Sequence, residues 1–508
     1  MSATRVAKHT FFNFLTIGFN AVSSLVVTAL IARRLEPSGM GTYSLVTWFF
    51  TMAGILVNLG LVTTTMKYMA EALGRDDRAE AGAVLAYGVK QLLRNGLAVT
   101  VVWLVVSPMM GHFYPHPHLS NYMLVASLAI IPMSMMALLT AACQGLQRYD
   151  RVALMTGVYT AIMFFGTLTV LALHASIPGL LMVIALASLS ACLGYWHFLG
   201  GWQSGWLRSE LALGRKRVFR RYSNSLMVLI LLDSIVWQRS GVFFLGMWAP
   251  AKAVAFYALA FALATTAMRL VPGTLVGLLI PSMSRSFGSG DLRQVSTIYH
   301  TAGRWMALLA LPVAVGGSVL ASSVVSAMYG DAYGPAATLL AVLFGSGALV
   351  MCFGFPASSV LYAIEGQGFL VLTGMGVGLL NIVLSILLIP RFGALGAAWA
   401  SAAGQVAALV PGAYFAGKQL GGVWPDTRRF PATLAAALVM GIPVWAIAHA
   451  LPHWQALGVG IPVGALVYAF NLWLFRALAP EDWARIRQVA ARVPVLKRFA
   501  APLAGLAP

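Results

Sequence analysis

The chain has few charged residues: only 9% of its 508 residues are Asp, Glu, Lys or Arg, whereas 60% are hydrophobic. An average soluble domain carries roughly a quarter charged residues. With so little charge, a chain of this length cannot cover a core with a surface that water tolerates. The composition therefore excludes a soluble fold, and the mean hydropathy of +0.83 agrees with that exclusion.

Carboxylates are particularly few, at 14 Asp plus Glu. An integral-membrane enzyme needs acids or histidines that face an active site from a sizeable outer loop. Residues 108–121, the longest segment predicted below to face outward, contain no carboxylate. We therefore predict that the chain is not an enzyme, and we assign no catalytic residue and no cofactor.

Cysteine is also rare, and each of Cys143, Cys192 and Cys352 lies within an apolar run, which predicts simple packing and no disulfide. Three histidines share the outward segment, at His112, His116 and His118. Metal ions need converging ligands, and the prolines between these histidines favour an extended chain. No metal site is predicted.

Long apolar runs are what the chain has instead. About 20 apolar residues in a helix span a hydrocarbon core of about 30 Å, and lipid requires every backbone group to be paired internally. We predict fourteen such spans, at residues 9–31, 42–65, 84–107, 122–142, 152–174, 178–199, 223–246, 253–279, 302–327, 336–360, 370–389, 394–416, 431–451 and 457–477. The predicted fold class is an all-α polytopic membrane protein.

The basic residues predict the topology. With the N-terminus in the cytoplasm, 28 of the 33 Lys and Arg residues fall on the cytoplasmic side. This asymmetry is what the positive-inside rule describes, and it explains the net charge of +19 without a nucleic-acid partner. The densest basic run, residues 215–221, is interpreted as a headgroup anchor. We expect a bacterial inner membrane location with both termini cytoplasmic.

An internal duplication divides the chain. Residues 35–45 lead into the second span as residues 249–259 lead into the eighth, an offset of roughly 214–220 residues. This offset contains six spans, so the two copies run parallel, as in transporters that rock two bundles around a shared site. We predict bundles at residues 1–222 and 223–416, followed by two extra helices and a basic cytoplasmic tail at 417–508.

Polar side chains recur at helical spacing in the first two spans and form what we call the polar stripe. Because polar groups inside a membrane tend to face a cavity or a partner helix, the stripe is a candidate lining for a glycan cavity. Bonding between helices is the alternative interpretation. The candidate lining residues are Asn13, Thr16, Asn20, Ser24, Thr47, Thr51 and Asn58.

Arginines at membrane depth are the candidate diphosphate ligands, because guanidinium offers forked and permanently charged donors. Arg239 and Arg269 lie within predicted spans, and Arg33 and Arg34 end the first span. Asp233 is the carboxylate that lies clearly within a span, and it is a candidate for ion coupling. Snorkelling of the arginines or pairing with Asp233 is the alternative.

Several motifs in order resemble the polysaccharide exporter, or O-antigen-type oligosaccharide flippase, family of the multidrug/oligosaccharidyl-lipid/polysaccharide superfamily. They lie at residues 34–45, 255–260, 281–284, 328–336 and 381–398. The resemblance implies export of undecaprenyl-diphosphate-linked sugar units for O-antigen, capsule or exopolysaccharide, with membrane lipids and polysaccharide polymerase machinery as partners. Related lipid II flippases use arginines in spans one, two and eight, and Arg269 matches the position in span eight.

The leading prediction is a flippase that works by alternating access, in which arginines hold the diphosphate and the polar stripe solvates the glycan. A cation-coupled multidrug antiporter of the same superfamily is the nearest alternative. A lipid II flippase and a membrane enzyme acting on polyprenyl-linked sugars are further alternatives.

Overall fold

The structure is a computed structural model, and it describes residues 3–114, 116, 118–173, 176–202, 209–237, 240–270, 273–363, 367–420, 429–478 and 482. Within these ranges some side chains are not described. They belong to residues 3–21, 201–202, 228–229, 231–237, 269–270, 273–278, 280–281, 363, 367, 370 and 419.

Every regular element in the described ranges is helical. The α-helices are α1 Ala3–Asn58, α2 Leu61–Gly74, α3 Arg78–Phe113, α4 Leu119–Gly145, α5 Tyr149–Leu173, α6 Ile177–Trp202, α7 Leu213–Trp237, α8 Ser240–Trp248, α9 Ala251–Leu270, α10 Gly273–Gly288, α11 Leu292–Val319, α12 Ala321–Tyr329, α13 Ala336–Leu349, α14 Phe355–Ala363, α15 Gln367–Leu420, α16 Phe430–Ala450 and α17 His453–Leu474. A 3₁₀ turn at Asp331–Tyr333 precedes α13, and a π-helical segment at Val350–Gly354 joins α13 to α14.

Eleven helices of the described residues are long and apolar enough to cross a membrane. Two of them each hold two predicted spans, Val22–Asn58 in α1 and Val371–Lys418 in α15, so the eleven account for thirteen of the fourteen predicted spans. The remaining span, 223–246, falls on α7 and α8. Large apolar side chains such as Leu97, Val105 and Leu466 are more than 60% exposed, as lipid-facing residues would be. The prediction of a polytopic helical membrane protein is confirmed.

The helices α1 and α15, which each hold two predicted spans, contain one residue with positive φ at the junction of those spans. In α15 this is Gly393, with φ 55° and ψ −130°. A Cβ on Gly396 would lie 2.4 Å from the Leu388 carbonyl oxygen, and Asn381 Nδ2 donates to the Ala400 carbonyl at 3.3 Å. Residues far apart in α15 therefore touch, and the two halves of this helix fold back on each other.

The junction in α1 is Glu36, with φ 56° and ψ 172°. A side chain rarely tolerates this conformation, which costs about 1–3 kcal/mol unless surrounding contacts hold it. Proline follows at position 37 and disfavours a helical conformation for the preceding residue. The chain thus leaves the first predicted span and enters the second without a loop.

The duplication is visible in local geometry as well as in sequence. α3 begins after Asp77, whose carboxylate accepts from Glu80 N, and α11 begins after Asp291, whose carboxylate accepts from Gln294 N. The residue before each cap has positive φ, 58° at Asp76 and 77° at Gly290. The two turns are 214 residues apart, which agrees with the offset found from the sequence.

The described chain forms two compact units. Unit 1 contains Met1–Ala262, Met328–Leu339 and Gly374–Gly404. Within it α4 packs against α1, α2, α3 and α6. Polar side chains also connect its helices: Trp103 Nε1 donates to the Met123 carbonyl at 2.7 Å, and Thr140 donates to the Tyr195 hydroxyl at 3.1 Å.

Unit 2 contains Leu263–Ala327, Leu340–Thr373 and Gln405–Pro508. Its apolar core includes Met283, Val295, Tyr299, Met306 and Val360. The two C-terminal helices belong to this unit, because α16 packs against α11 and α17. Tyr468 on α17 donates to the Leu308 carbonyl on α11 at 2.9 Å. The predicted bundle limits at residues 222 and 416 stay a prediction.

Candidate transport site

The described part of the polar stripe uses its donors within α1. Thr47 Oγ1 donates to the Tyr43 carbonyl at 2.9 Å, Thr51 Oγ1 to the Thr47 carbonyl at 2.8 Å, and Asn58 Nδ2 to the Gly54 carbonyl at 2.9 Å. Hydroxyls in helices often bond back in this way. Their oxygens keep free acceptor capacity, so this part of the stripe can accept hydrogen bonds from sugar hydroxyls.

Exposure differs along the stripe. Ser24 and Thr51 are exposed, whereas Thr47 and Asn58 are half-buried. Asn58 Oδ1 is buried without a hydrogen-bond partner. A buried amide oxygen without a donor loses solvation without compensation, so it marks a position that a hydroxyl group would satisfy.

Several candidate residues lie outside what the structure describes. The side chains of Asn13, Thr16 and Asn20 on α1, of Asp233 on α7 and of Arg269 on α9 are not described, and Arg239 falls between α7 and α8. For Arg269 the backbone places the residue one position before the end of α9. Their roles stay predictions.

Arg33 and Arg34 are both exposed and precede the Glu36 junction. Arg33 Nε donates to the Met328 carbonyl at 2.9 Å, and Tyr333 Oη donates to the Ala32 carbonyl at 2.7 Å. We call these two bonds and their four residues the outer clamp, because the sequence predicts this end of the helices to face outward. Through its Nε, Arg33 thus connects the end of the first predicted span to the segment that begins at residue 328.

The motif at residues 328–336 explains the clamp. Gly330 has φ 97° and starts the 3₁₀ turn, which brings Tyr329 and Tyr333 together with ring centroids 5.9 Å apart. Both rings are 1% exposed. The segment therefore inserts a buried tyrosine against the last turn before the α1 junction, a role the sequence did not show.

A buried hydrogen-bond network, also missed from the sequence, lies in unit 1. Ser240 Oγ donates to Asn381 Oδ1 at 2.7 Å, and the Tyr257 and Ser401 hydroxyls are 2.6 Å apart. Ser385, one turn after Asn381, is 1% exposed and has no partner for its hydroxyl. The usable signal was the four-residue spacing of Asn381 and Ser385 inside an apolar run.

A cluster of ion pairs joins α2, α3 and α7 at the end predicted to be cytoplasmic. Arg75 lies 2.7 Å from both Glu71 and Glu80, and Arg215 lies 2.8 Å from Glu80 and 3.4 Å from Glu71. The hydrogen bond from Arg75 holds the pKa of the Glu71 carboxyl below its usual value. Part of the basic run at 215–221 is therefore neutralised by the protein itself.

The described spans offer uncharged polar groups far more than acids. Among the described residues the buried polar side chains are mostly serine, threonine and asparagine, and Asp482 is the single buried carboxylate. No group of three or more His, Cys, Asp or Glu residues that could hold a metal occurs in the described ranges.

Solved structures share this fold. A lipid II flippase MurJ in an inward closed conformation aligns with a TM-score of 0.73 at 12% identity, over 92% of this chain and 98% of that one. A multidrug resistance MATE family transporter in an inward-facing conformation aligns with a TM-score of 0.69 at 14% identity, over 78% of this chain and 94% of that one. A Vibrio cholerae MATE transporter aligns with a TM-score of 0.54 at 12% identity, over 82% of this chain and 96% of that one.

Family models cover most of the chain. The model "Polysaccharide biosynthesis protein" matches residues 30–338, and "Lipid II flippase MurJ" matches residues 242–461. No curated protein matches the sequence. The helices and these likenesses define a multi-pass transporter of the multidrug/oligosaccharidyl-lipid/polysaccharide superfamily. Within that superfamily, the chain belongs to the polysaccharide biosynthesis protein family.

Proposed function

We propose that this protein moves undecaprenyl-diphosphate-linked oligosaccharide from the cytoplasmic to the periplasmic leaflet of a bacterial inner membrane. The product would supply polymerase machinery that builds a surface polysaccharide. The observation that carries the proposal is the match of the polysaccharide biosynthesis family over residues 30–338, supported by buried groups that are polar but rarely acidic.

The site divides into two chemical parts. Arg269, Arg239, Arg34 and Arg33 hold the diphosphate, because paired guanidinium groups bind phosphate oxygens through parallel hydrogen bonds. The polar stripe of α1 contacts the glycan. Its hydroxyl oxygens accept bonds from sugar hydroxyls, since their own protons are engaged by helix carbonyls.

Transport follows alternating access between two parallel repeats, with both termini cytoplasmic. The polyprenyl tail stays in lipid while the head group crosses. Asp233, which lies within the seventh predicted span, is the candidate for coupling this cycle to protons or sodium.

The test measures the leaflet distribution of undecaprenyl-diphosphate-linked oligosaccharide in cells that lack the gene. Complementation compares the wild type with Arg269→Ala, Arg239→Ala and the charge-preserving Arg269→Lys. Arg293→Ala is the matched control, because Arg293 is an exposed arginine in the first turn of α11. We expect inner-leaflet accumulation in the deletion strain and in both alanine variants, and full rescue by the wild type and the control.

Normal delivery of the lipid-linked oligosaccharide to the outer face in the deletion strain would refute the proposal. The match to the lipid II flippase model over residues 242–461 favours a second candidate, a lipid II flippase. Rescue of growth in a strain depleted of its own lipid II flippase would support that candidate. A cation-coupled multidrug antiporter predicts ethidium efflux that depends on Asp233.

A further inference from the structure

Unit 2 contains a cavity of about 20 Å³ that the proposed transport site does not use. A cavity of this size holds roughly one water molecule or one small group. Its charged and hydroxyl lining comes from Arg304 on α11, Arg429 and Thr433 at the start of α16, and Asp482 beyond α17. We call it the arginine pocket.

The π-helical segment Val350–Gly354 forms another part of the wall through Cys352 and Phe353. π-helical bulges cost backbone regularity and are found frequently at functional sites. The middle of α11, the start of α16 and the chain after α17 thus meet around this cavity. The charge distribution of the sequence predicts that Arg304, Arg429 and the chain after residue 476 lie on the cytoplasmic side, where inner-leaflet headgroups are.

Of the two arginines in the arginine pocket, Arg304 lies beside a carboxylate and Arg429 does not pair with a described one. Arg304 Nη2 lies 3.6 Å from Asp482 Oδ1, and the two side chains are 16% and 2% exposed. Arg429 lies at the N-cap of α16, where the helix dipole is positive, and no described carboxylate pairs with it. A half-buried guanidinium beside an apolar wall is stabilised by an anion, because desolvated charge is costly unless it is compensated.

We infer that the arginine pocket binds a phosphate group, with one anionic oxygen entering the cavity beside Arg429 and the rest of the group outside. Guanidinium groups bind phosphate oxygens through strong charge-assisted bonds. The nearby Asp482 carboxylate disfavours a second negative charge, so the pocket favours a singly charged phosphodiester. A phospholipid headgroup and free phosphate share this chemistry. The inference does not depend on the proposed substrate.

The experiment uses the full-length protein in a non-ionic detergent and measures its thermal unfolding during titration with a lipid or salt. The probes are phosphatidylglycerol, zwitterionic phosphatidylcholine and inorganic phosphate. We compare the wild type with Arg429→Gln and with Arg293→Gln, the matched control on the exposed face of α11. We expect phosphatidylglycerol to stabilise the wild type and the control, with apparent affinity weakened about tenfold or more in Arg429→Gln.

Stabilisation by inorganic phosphate with the same dependence on Arg429 would also support the pocket. It would identify free phosphate, and not a lipid headgroup, as the source of the bound phosphate group. A second variant, Asp482→Asn, keeps the test decisive if Arg429→Gln fails to fold. Removing the competing carboxylate should tighten phosphatidylglycerol binding, whereas a purely structural ion pair would only lose stability. Equal lipid responses in the wild type, Arg429→Gln and Arg293→Gln, or weaker binding by Asp482→Asn, would overturn the inference.

Discussion

Among the glycines that the structure describes, Gly41 is the one where an added methyl group would meet the nearest backbone atom. It lies at the start of the second half of α1, and a Cβ there would lie 1.8 Å from the Ala251 carbonyl oxygen and 2.4 Å from the Ala251 carbonyl carbon. Both atoms belong to the backbone of α9, so no side-chain rotation can relieve the overlap. The first turn of α9 would have to move by more than about 1 Å to reach ordinary contact distance.

Gly54, on the same helix, provides the control. Its nearest neighbour for an added Cβ is Ser134 Oγ at 3.9 Å, which is ordinary contact. Glycine to alanine in a helix gains up to about 1 kcal/mol in propensity at either position. Overpacking costs about 1–3 kcal/mol, and only at Gly41. We therefore expect Gly41→Ala to be less stable than Gly54→Ala by about 1–3 kcal/mol.

The assay is equilibrium unfolding of the two purified variants and the wild type in one detergent, with the midpoints ranked. Gly54→Ala should equal or exceed the wild type, and Gly41→Ala should fall below Gly54→Ala. If Gly41→Ala proves as stable as Gly54→Ala, α1 and α9 do not approach each other as the structure has them.

Two further predictions concern single bonds. Tyr333→Phe removes the buried hydrogen bond of the outer clamp and should lower the free energy of unfolding by about 1–2 kcal/mol. Tyr114→Phe is the control, because it removes a buried hydroxyl that has no hydrogen-bond partner. In the same unfolding assay its effect should be close to neutral. Equal effects of the two changes would contradict the clamp. The Arg75 bond lowers the pKa of Glu71 below 4.5, so its contribution is present above that pH and is lost as the pH falls through the lowered pKa. The stability difference between the wild type and Arg75→Gln should therefore be largest near neutral pH and should shrink below a pH of about 4. Acid titrations followed by intrinsic fluorescence measure this difference. A difference that persists at a pH of about 2 would be incompatible with this assignment.

Run length and the low content of charged residues were enough to predict the fold class. The apolar runs of about 20 residues predicted thirteen spans that the structure contains as helices, because the length needed to cross lipid is set by geometry alone. The repeat offset was also readable, and the capped turns at Asp77 and Asp291 have the same geometry. Run length and the composition of each turn are signals that lie within a short stretch of the chain.

Local patterns could not predict how distant residues pair. The second span was expected to run to residue 65, but the helix breaks at Leu59 and Gly60, both with positive φ, and restarts as α2. Glycine at position 60 is compatible with a break because it tolerates positive φ, whereas leucine at position 59 gives no such signal. The bond between Ser240 and Asn381 joins residues 141 positions apart, so no periodicity within either helix could have shown it.

The fold-back in α15 bears on how the protein is made. Its two halves share a turn at Gly393 with no hydrophilic linker, and they are bonded to each other through Asn381 and the Ala400 carbonyl. The Asn381 amide lies in the first half and its acceptor in the second, so this bond forms only after both halves have entered the bilayer. We therefore expect the two halves to insert and fold as one hairpin, and an epitope placed at this turn to lower the yield of folded protein.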